Sequence, residues 1–385
     1  MSLIAAKGAA IMQDYLSINY NWQLPDWPKW HWEQTCILEK LTQVRYQQGR
    51  LLGKMSQLDF PLQQTAILAT LTEDVLKTSE IEGERLNKEQ VRSSIARRLG
   101  LDVGGLVLAD RHVEGVVEMM LDATGQFETS LTEERLFAWH AALFPTGHSG
   151  MTKITVGAWR DDSTGPMQVL SGPFGREKVH FQAPPAALLT QQMQDFLSWF
   201  NAPIEMDNIL KAAISHIWFI SIHPFDDGNG RIARAISDLC LARSEQSSNR
   251  FYSMSSQIQK QRNAYYDILE KTQKASMEIT EWMVWFLECL TQAIQGAEST
   301  LSAILFKARF WEQAKHLALN KRQKLVLNRV LDGFEGKLTS SKWAKLAKCS
   351  PDTALRDINE LIQHGLLKQT AAGGRSTSYT LKNPA

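Results

Sequence analysis

Residues 223–234, HPFDDGNGRIAR, constrain this chain more than any other stretch. The seventeen residues before them, MDNILKAAISHIWFISI, carry a strongly apolar, helix-like pattern that predicts a buried helix over 206–222. Pro224 ends it, because proline has no N–H to donate and disfavours the α conformation at His223. A second helix is expected to start at the glycines and run through 232–243. Helix, short loop and helix N-terminus together leave free backbone N–H groups and a positive dipole end, which favour an anion. Gly228 and Gly230 let successive N–H groups converge on phosphate oxygens. Arg231 and Arg234 lie three apart and project on neighbouring faces, each able to hold phosphate by charge-assisted hydrogen bonds. Asp227 is a hard oxygen ligand suited to Mg2+ bridging two phosphates. His223, with an ordinary pKa near ~6.5, suits a general base at neutral pH.

With every fixed position filled, HPFDDGNGRIAR resembles the Fic signature, His-x-Phe-x-Asp/Glu-Gly-Asn-Gly-Arg-x-x-Arg. The resemblance implies that His223 deprotonates a target hydroxyl, that Phe225 anchors the loop and that Asp227 binds Mg2+. It further implies that Gly228, Asn229, Gly230 and Arg231 cradle the α- and β-phosphates of ATP, with Arg234 on the γ-phosphate. The implied reaction is attack of a Ser, Thr or Tyr hydroxyl, on another protein or on this chain itself, on the α-phosphate. The target keeps AMP and pyrophosphate leaves. Upstream, Thr78-Ser-Glu-Ile-Glu82-Gly83 resembles the family's inhibitory motif, whose glutamate pairs with the second signature arginine where the γ-phosphate belongs. In some relatives the same glutamate orients a water that removes AMP again. The resemblance also implies a target-docking β-hairpin flap, for which residues 165–185 are the candidate, with arms MQVLS and EKVHF around a turn at Gly172–Gly175. A strand there can align a target segment by β-augmentation. Tyr265 and Tyr266 are candidates for the adenine side, with core packing as the alternative.

The remaining sequence is consistent with a mainly α protein. Cys36, Cys240, Cys289 and Cys349 are widely spaced with no metal-ligand pattern, as expected of reduced thiols in the cytoplasm. The N-terminal MSLIAAKGAAIMQDYLS reads as no signal peptide, and no segment is apolar for long enough to span a membrane. Residues 19–32 hold four of the twelve tryptophans and two prolines, suggesting an irregular aromatic arm packed on the body. Amphipathic helices are expected over 33–57 and 63–99, and another within 128–144 behind a Ser130-x-x-Glu133 capping box. His140 reads as a satisfied core histidine, and Trp282, Trp285 and Phe286 as core.

Charge shifts near residue 320. Residues 321–385 hold twelve Lys and Arg against five Asp and Glu, although the whole chain is balanced at +1. Helices are expected at 321–333, 340–348 and 352–364, the last capped by Ser350 with Pro351 at its first position, then strands GLLKQT and STSYTL around Gly373-Gly374. This is the order of a winged-helix domain. Helix 352–364 would read DNA through Thr353, Arg356 and Asn359, with Lys368 or Arg375 near phosphates. Winged helices also dock proteins or form homodimers, and Asp352, Asp357 and Glu360 dilute the positive face. The expected architecture is therefore an N-terminal helical region over 1–125, a Fic-type helical bundle with a β-hairpin flap over 126–305 and a winged-helix domain over 315–385. Two functions compete: a self-inhibited adenylyltransferase, and a DNA-binding regulator that keeps the Fic fold as a nucleotide sensor. An intact His223 favours the first.

Overall fold

A computed structural model of the chain describes residues 19–101, 107–173, 175–203, 206–274, 276–331, 336–370 and 377–382. The N-terminal residues read above for a leader, the hairpin-tip glycines Gly373 and Gly374, and Arg375 lie outside them. By internal contacts the chain divides into two compact units, Met1–Asp59 with Gln63–Ala297, and Phe60–Leu62 with Glu298–Ala385.

In the first unit the aromatic arm, with a short 3-10 turn at Asn21–Gln23, leads into α1 (Gln34–Ser56), α2 (Phe60–Ile81) and α3 (Lys88–Arg98). The single helix expected over 63–99 is thus two. Gly83 takes φ +87° just past α2, a left-handed stop, and the Asn87 side chain caps α3 by accepting from the N–H groups of Glu89 and Gln90. Next come α4 (Arg111–Gly125) and α5 (Glu133–Leu143). The cap of α5 is Thr132, which accepts from Arg135 N, and not the expected Ser130. Two hairpins follow, β1 (His148–Ser149) with β2 (Thr152–Lys153), and β3 (Gln168–Ser171) with β4 (Lys178–Gln182).

After α6 (Leu189–Asn201) the chain enters the two central helices, α7 (Asn208–Ile222) and α8 (Asn229–Glu245). Every residue of α7 from Ile209 to Ile222 is buried, which is why its sequence is apolar on all sides. α7 and α8 pack against each other, and α4 packs on α8. They are followed by α9 (Met254–Lys260), α10 (Arg262–Thr272) and the first part of α11 (Thr280–Ala314), whose residues from Glu298 on belong to the second unit. No helix among the described residues is long and apolar enough to cross a membrane.

The second unit contains α12 (Lys321–Leu331), α13 (Ser340–Ala347), α14 (Pro351–Gln363) and the antiparallel pair β5 (Leu367–Gln369) and β6 (Tyr379–Leu381). Thr339 and Ser350 cap α13 and α14. Leu338, between α12 and α13, bridges to Tyr379 and adds a third short strand position to the hairpin. Val326, Trp343, Ile358, Leu361 and Leu367 form part of the unit's own apolar core. Asp357, read as an exposed acid, is buried: Arg322 and Asn320 both donate to its carboxylate.

Candidate functional site

Helix α7 ends on His223 with φ 51° and ψ 59°, left-handed values that cost a non-glycine residue on the order of 1–3 kcal/mol and persist only where neighbours hold them. Three sets of contacts do so. The His223 N–H donates to Phe219 O at 3.0 Å, closing α7. Arg160 donates from Nε to His223 O at 2.8 Å and from its backbone N to Pro224 O at 3.0 Å. Phe225 is fully buried, its ring stacked on His140 at 4.2 Å and bordered by Trp159. His140 is therefore a core histidine that shapes the loop. It accepts from Gly157 N at Nδ1, which leaves Nε2–H to donate to Asp227 O at 3.2 Å.

The turn into α8 is closed by Asn229, whose amide accepts from Phe225 N at 3.0 Å and donates to Phe225 O at 2.8 Å. Its side chain is spent on the loop, so only its backbone faces the site. Gly228 has φ +81°, and a Cβ there would meet the Phe144 ring at 2.9 Å, which explains the glycine twice over.

His223 is half-buried, and desolvation of its imidazole pushes its pKa down to about 4 against the pull of the Ile220 carbonyl, Asp227 and Glu82. Nδ1 sits 3.3 Å from Ile220 O, and a carbonyl can only accept. The proton is therefore on Nδ1, and Nε2 offers its lone pair at neutral pH. Asp227 accepts from Gly228 N at 2.6 Å on one oxygen and from the Ser149 hydroxyl on the other. A single carboxylate suits Mg2+, which takes one or two protein oxygens and completes its shell with phosphates and water. Among the described residues no group of three or more His, Cys, Asp and Glu could hold a metal alone.

Both signature arginines are buried, and both are occupied by carboxylates. Arg234 donates from Nε to Thr78 Oγ1 (2.8 Å), and from Nη2 to Thr78 O (2.8 Å) and Glu82 Oε1 (2.7 Å). Burial opposes its charge, but Glu82 outweighs it and the pKa is raised. Glu82 presses against the backbone turn: a Cβ on Gly230 would lie 2.3 Å from its Oε1. Among the described residues, Arg234 Nη1 and Arg231 Nε are buried donors without a hydrogen-bond partner. Arg231 donates from Nη1 to Glu84 Oε2 at 2.7 Å and lies over the Phe144 ring. Glu84 also meets His112 Nε2 at 3.2 Å. That hydrogen bond lowers the Glu84 pKa, helped by Arg231's charge, and raises that of His112 against the same charge.

The two tyrosines separate. Tyr265 is buried, and its hydroxyl bonds His216 Nε2 at 2.8 Å. Tyr266 is partly exposed, with its hydroxyl 3.2 Å from Ile81 O and 3.5 Å from Glu82 Oε2. The hairpin β3–β4 carries Leu170 opposite Val179, both exposed. It is tied to α10 through His180 Nδ1 and Glu270 at 2.5 Å. Lys274 and then His180 hold the Glu270 carboxyl down at about 2. Glu84, His112, Arg160 and Ser149 are site residues that the sequence reading did not single out. Only Glu84 had a local signal, lying two positions past Glu82.

Residues 130–241 match the Fic/DOC family model, a span that takes in the whole of 223–234. The chain carries a Fic domain. A domain of unknown function, DUF4172, matches residues 20–101, which brings the aromatic arm and α1–α3 into one N-terminal module ahead of the Fic domain. A protein adenylyltransferase of Caenorhabditis briggsae is 43% identical over 56 residues, 14% of this chain and 11% of that protein. A probable protein adenylyltransferase of Aquifex aeolicus is 33% identical over 61 residues, 16% of this chain and 19% of its own length. The matched stretch thus spans no more than a fifth of these relatives. A Fic family protein from Desulfovibrio desulfuricans G20 superimposes with a TM-score of 0.53 at 21% identity, covering 91% of this chain and 97% of that one, a likeness of fold.

Proposed function

We propose that this chain is a protein adenylyltransferase, moving AMP from ATP to a Ser, Thr or Tyr hydroxyl of another protein or of itself and releasing pyrophosphate. The observation that carries the reading is a neutral His223 whose Nδ1 is taken by Ile220 O, leaving Nε2 with its lone pair, on the same short loop as Asp227 and just ahead of Arg231 and Arg234 in the first two turns of α8. His223 takes the proton as the acceptor oxygen attacks the α-phosphate. The α8 N-terminus, Gly228, Gly230 and Arg231 neutralise charge that builds on the phosphates. Asp227 would hold Mg2+, which when bound supplies charge neutralisation between phosphates. Tyr266, on the open side of α10, is the better placed of the two tyrosines for the adenine. The β3–β4 hairpin offers its edge and exposed Leu170 and Val179 to a target strand.

In the state described, Glu82 occupies Arg234 and the enzyme is self-inhibited. A desolvated carboxylate excludes a phosphate of like charge. The same carboxylate, once released from Arg234, would orient a water for AMP removal. The test is incubation with labelled ATP and Mg2+ of the parent, Glu82→Gly, and Glu82→Gly with His223→Ala. Label in Glu82→Gly that vanishes in the double variant supports the reading; ATP binding without label on the chain or on added lysate protein sinks it.

A second reading is favoured by one observation in the second unit. With Asp357 neutralised internally by Arg322, the exposed face of α14 carries Arg356 and Asn359, with Lys368 on β5. We propose a winged helix able to bind DNA there. Duplex retention that falls steeply with salt and weakens in Arg356→Ala supports it; salt-insensitive or absent retention refutes it.

A further inference from the structure

Arg160 lies outside the signature and outside the inhibitory motif, yet it is almost wholly enclosed, with its side chain 0% exposed. Its hydrogen bonds are unusual in what they join. Besides the two to the carbonyls of His223 and Pro224, Nη1 donates to Asp162 Oδ1 at 2.8 Å and Nη2 to Pro184 O at 2.6 Å. Asp162 in turn accepts from Ala186 N at 2.6 Å. Asp162 stands before β3, whereas Pro184 and Ala186 stand just after β4. One guanidinium therefore grips both legs of the flap hairpin and the backbone of the catalytic base. Its planar fork suits this, because three acceptors in fixed directions need a rigid multi-donor group.

We propose that Arg160 is a positioning residue: it fixes the distance and orientation between the flap, where a target strand would pair, and His223, and so sets where the acceptor hydroxyl meets the base. This rests on the adenylyl-transfer reading above. Two consequences follow from the contacts. Removing the fork frees the His223 carbonyl, and the left-handed backbone there loses the brace that holds it. Among the described residues no hydrogen bond joins Arg160 to α8, on which the phosphate side of the site is built, so that side is expected to keep its geometry. The charged groups facing the His223 ring are Arg160, Asp227 and Glu82, and Arg160 itself faces Asp162 and Asp226.

The experiment uses the full chain in the Glu82→Gly form, with Arg160→Met and Arg160→Lys added. A displacement of the base by about 1 Å costs on the order of 100-fold in rate. Arg160→Met is therefore expected to cut transfer at saturating ATP by about that factor, with the affinity for a fluorescent ATP analogue held within about threefold. Arg160→Lys keeps the charge but cannot span three acceptors, so it recovers thermal stability without recovering the rate. A Met variant that transfers within about threefold of its parent, or that loses analogue affinity in step with rate, overturns the proposal. A second readout needs no activity. In 13C-histidine-labelled protein the backbone carbonyl signal of His223 is expected to move in Arg160→Met, and that of His216 to stay. An unmoved His223 signal overturns the proposal. If Glu82→Gly itself transfers no label while the His223 signal moves, the adenylyl-transfer reading fails and the hold of Arg160 on His223 stands.

Discussion

Replacing Glu84 with glutamine should lower stability and raise ATP affinity together, a pairing that few substitutions produce. Arg231 is 1% exposed and donates to Glu84 at 2.7 Å, so the pair is charge-assisted from a nearly dry donor. Such hydrogen bonds contribute about 1.5–3 kcal/mol. Glu84 keeps 38% of its side-chain surface, so water screens it, and the glutamine oxygen still accepts. The loss should be about 1–2 kcal/mol at pH 7, at or below the low end of that range. In the Glu82→Gly background a nucleotide must draw Arg231 away from the same carboxylate. Removing the competing charge returns the same 1–2 kcal/mol, or roughly 5- to 30-fold in ATP affinity. Thermal denaturation and titration with a fluorescent ATP analogue measure the two halves. Protons decide where the effect is largest. The pKa of Glu84 is lowered, so its stabilisation is present above the ordinary carboxylate value and lost as pH falls through the depressed one. That of His112 is raised, so its share is full below the ordinary histidine value and lost as pH rises through the raised one. The stability difference between parent and Glu84→Gln should thus be widest between those two limits. An affinity equal to or below the parent's would refute the reasoning, because Arg231 would then be reaching phosphate without releasing Glu84, or not reaching it at all.

Burial holds His140 near about 4 and His216 near about 3, so both stay neutral where the unfolded chain takes up protons. Stability should fall as pH drops below ~6.5, by up to about 1.4 kcal/mol per pH unit for each; urea titrations across that range with no slope would exclude it. Gly230→Ala should eject Glu82 from Arg234 yet leave ATP affinity no higher than the parent's, since the new methyl fills the space between them; a gain in analogue binding contradicts this. Phe225→Ala should cost about 3–5 kcal/mol in chemical denaturation, because the ring is fully buried against His140 and Trp159. A loss below about 1 kcal/mol would mean the loop is held without it.

The chemistry of the site was legible where it is local. Residues 223–234 lie consecutively and form one loop and helix start, and the arms of β3 and β4 announce themselves by strand-forming residues around glycines. Asn229 marks a limit even there, because the choice between phosphate and loop depends on a side-chain direction that spacing does not encode. Arg160 was invisible for a stronger reason. Its partners, His223, Asp162 and Pro184, converge only when the chain is folded, and an arginine in a loop looks solvated until burial is known. Asp357 misled in the same way, read as a surface acid when Arg322 lies against it. The break at Gly83 could have been seen, since a glycine ahead of the Asn87 cap interrupts any helix drawn through both. Tyr265 and Tyr266 are adjacent and chemically identical, and only depth separates them.

The last turn of α2 is held from outside its own helix. Arg262 donates from Nε to the Ile81 carbonyl at 2.7 Å, and the Tyr266 hydroxyl shares that carbonyl. The Glu82 carboxylate follows one residue later, so its hold on Arg234 is anchored at the helix end by α10, the helix that also carries Tyr266. On the self-inhibited reading, inhibition would be a property of leverage as much as of charge. A frayed final turn, or a molecule wedged against Tyr266, would slacken Glu82 without touching Arg234, and the strength of the brake would be set by how stiffly α2 and α10 keep one carbonyl in place.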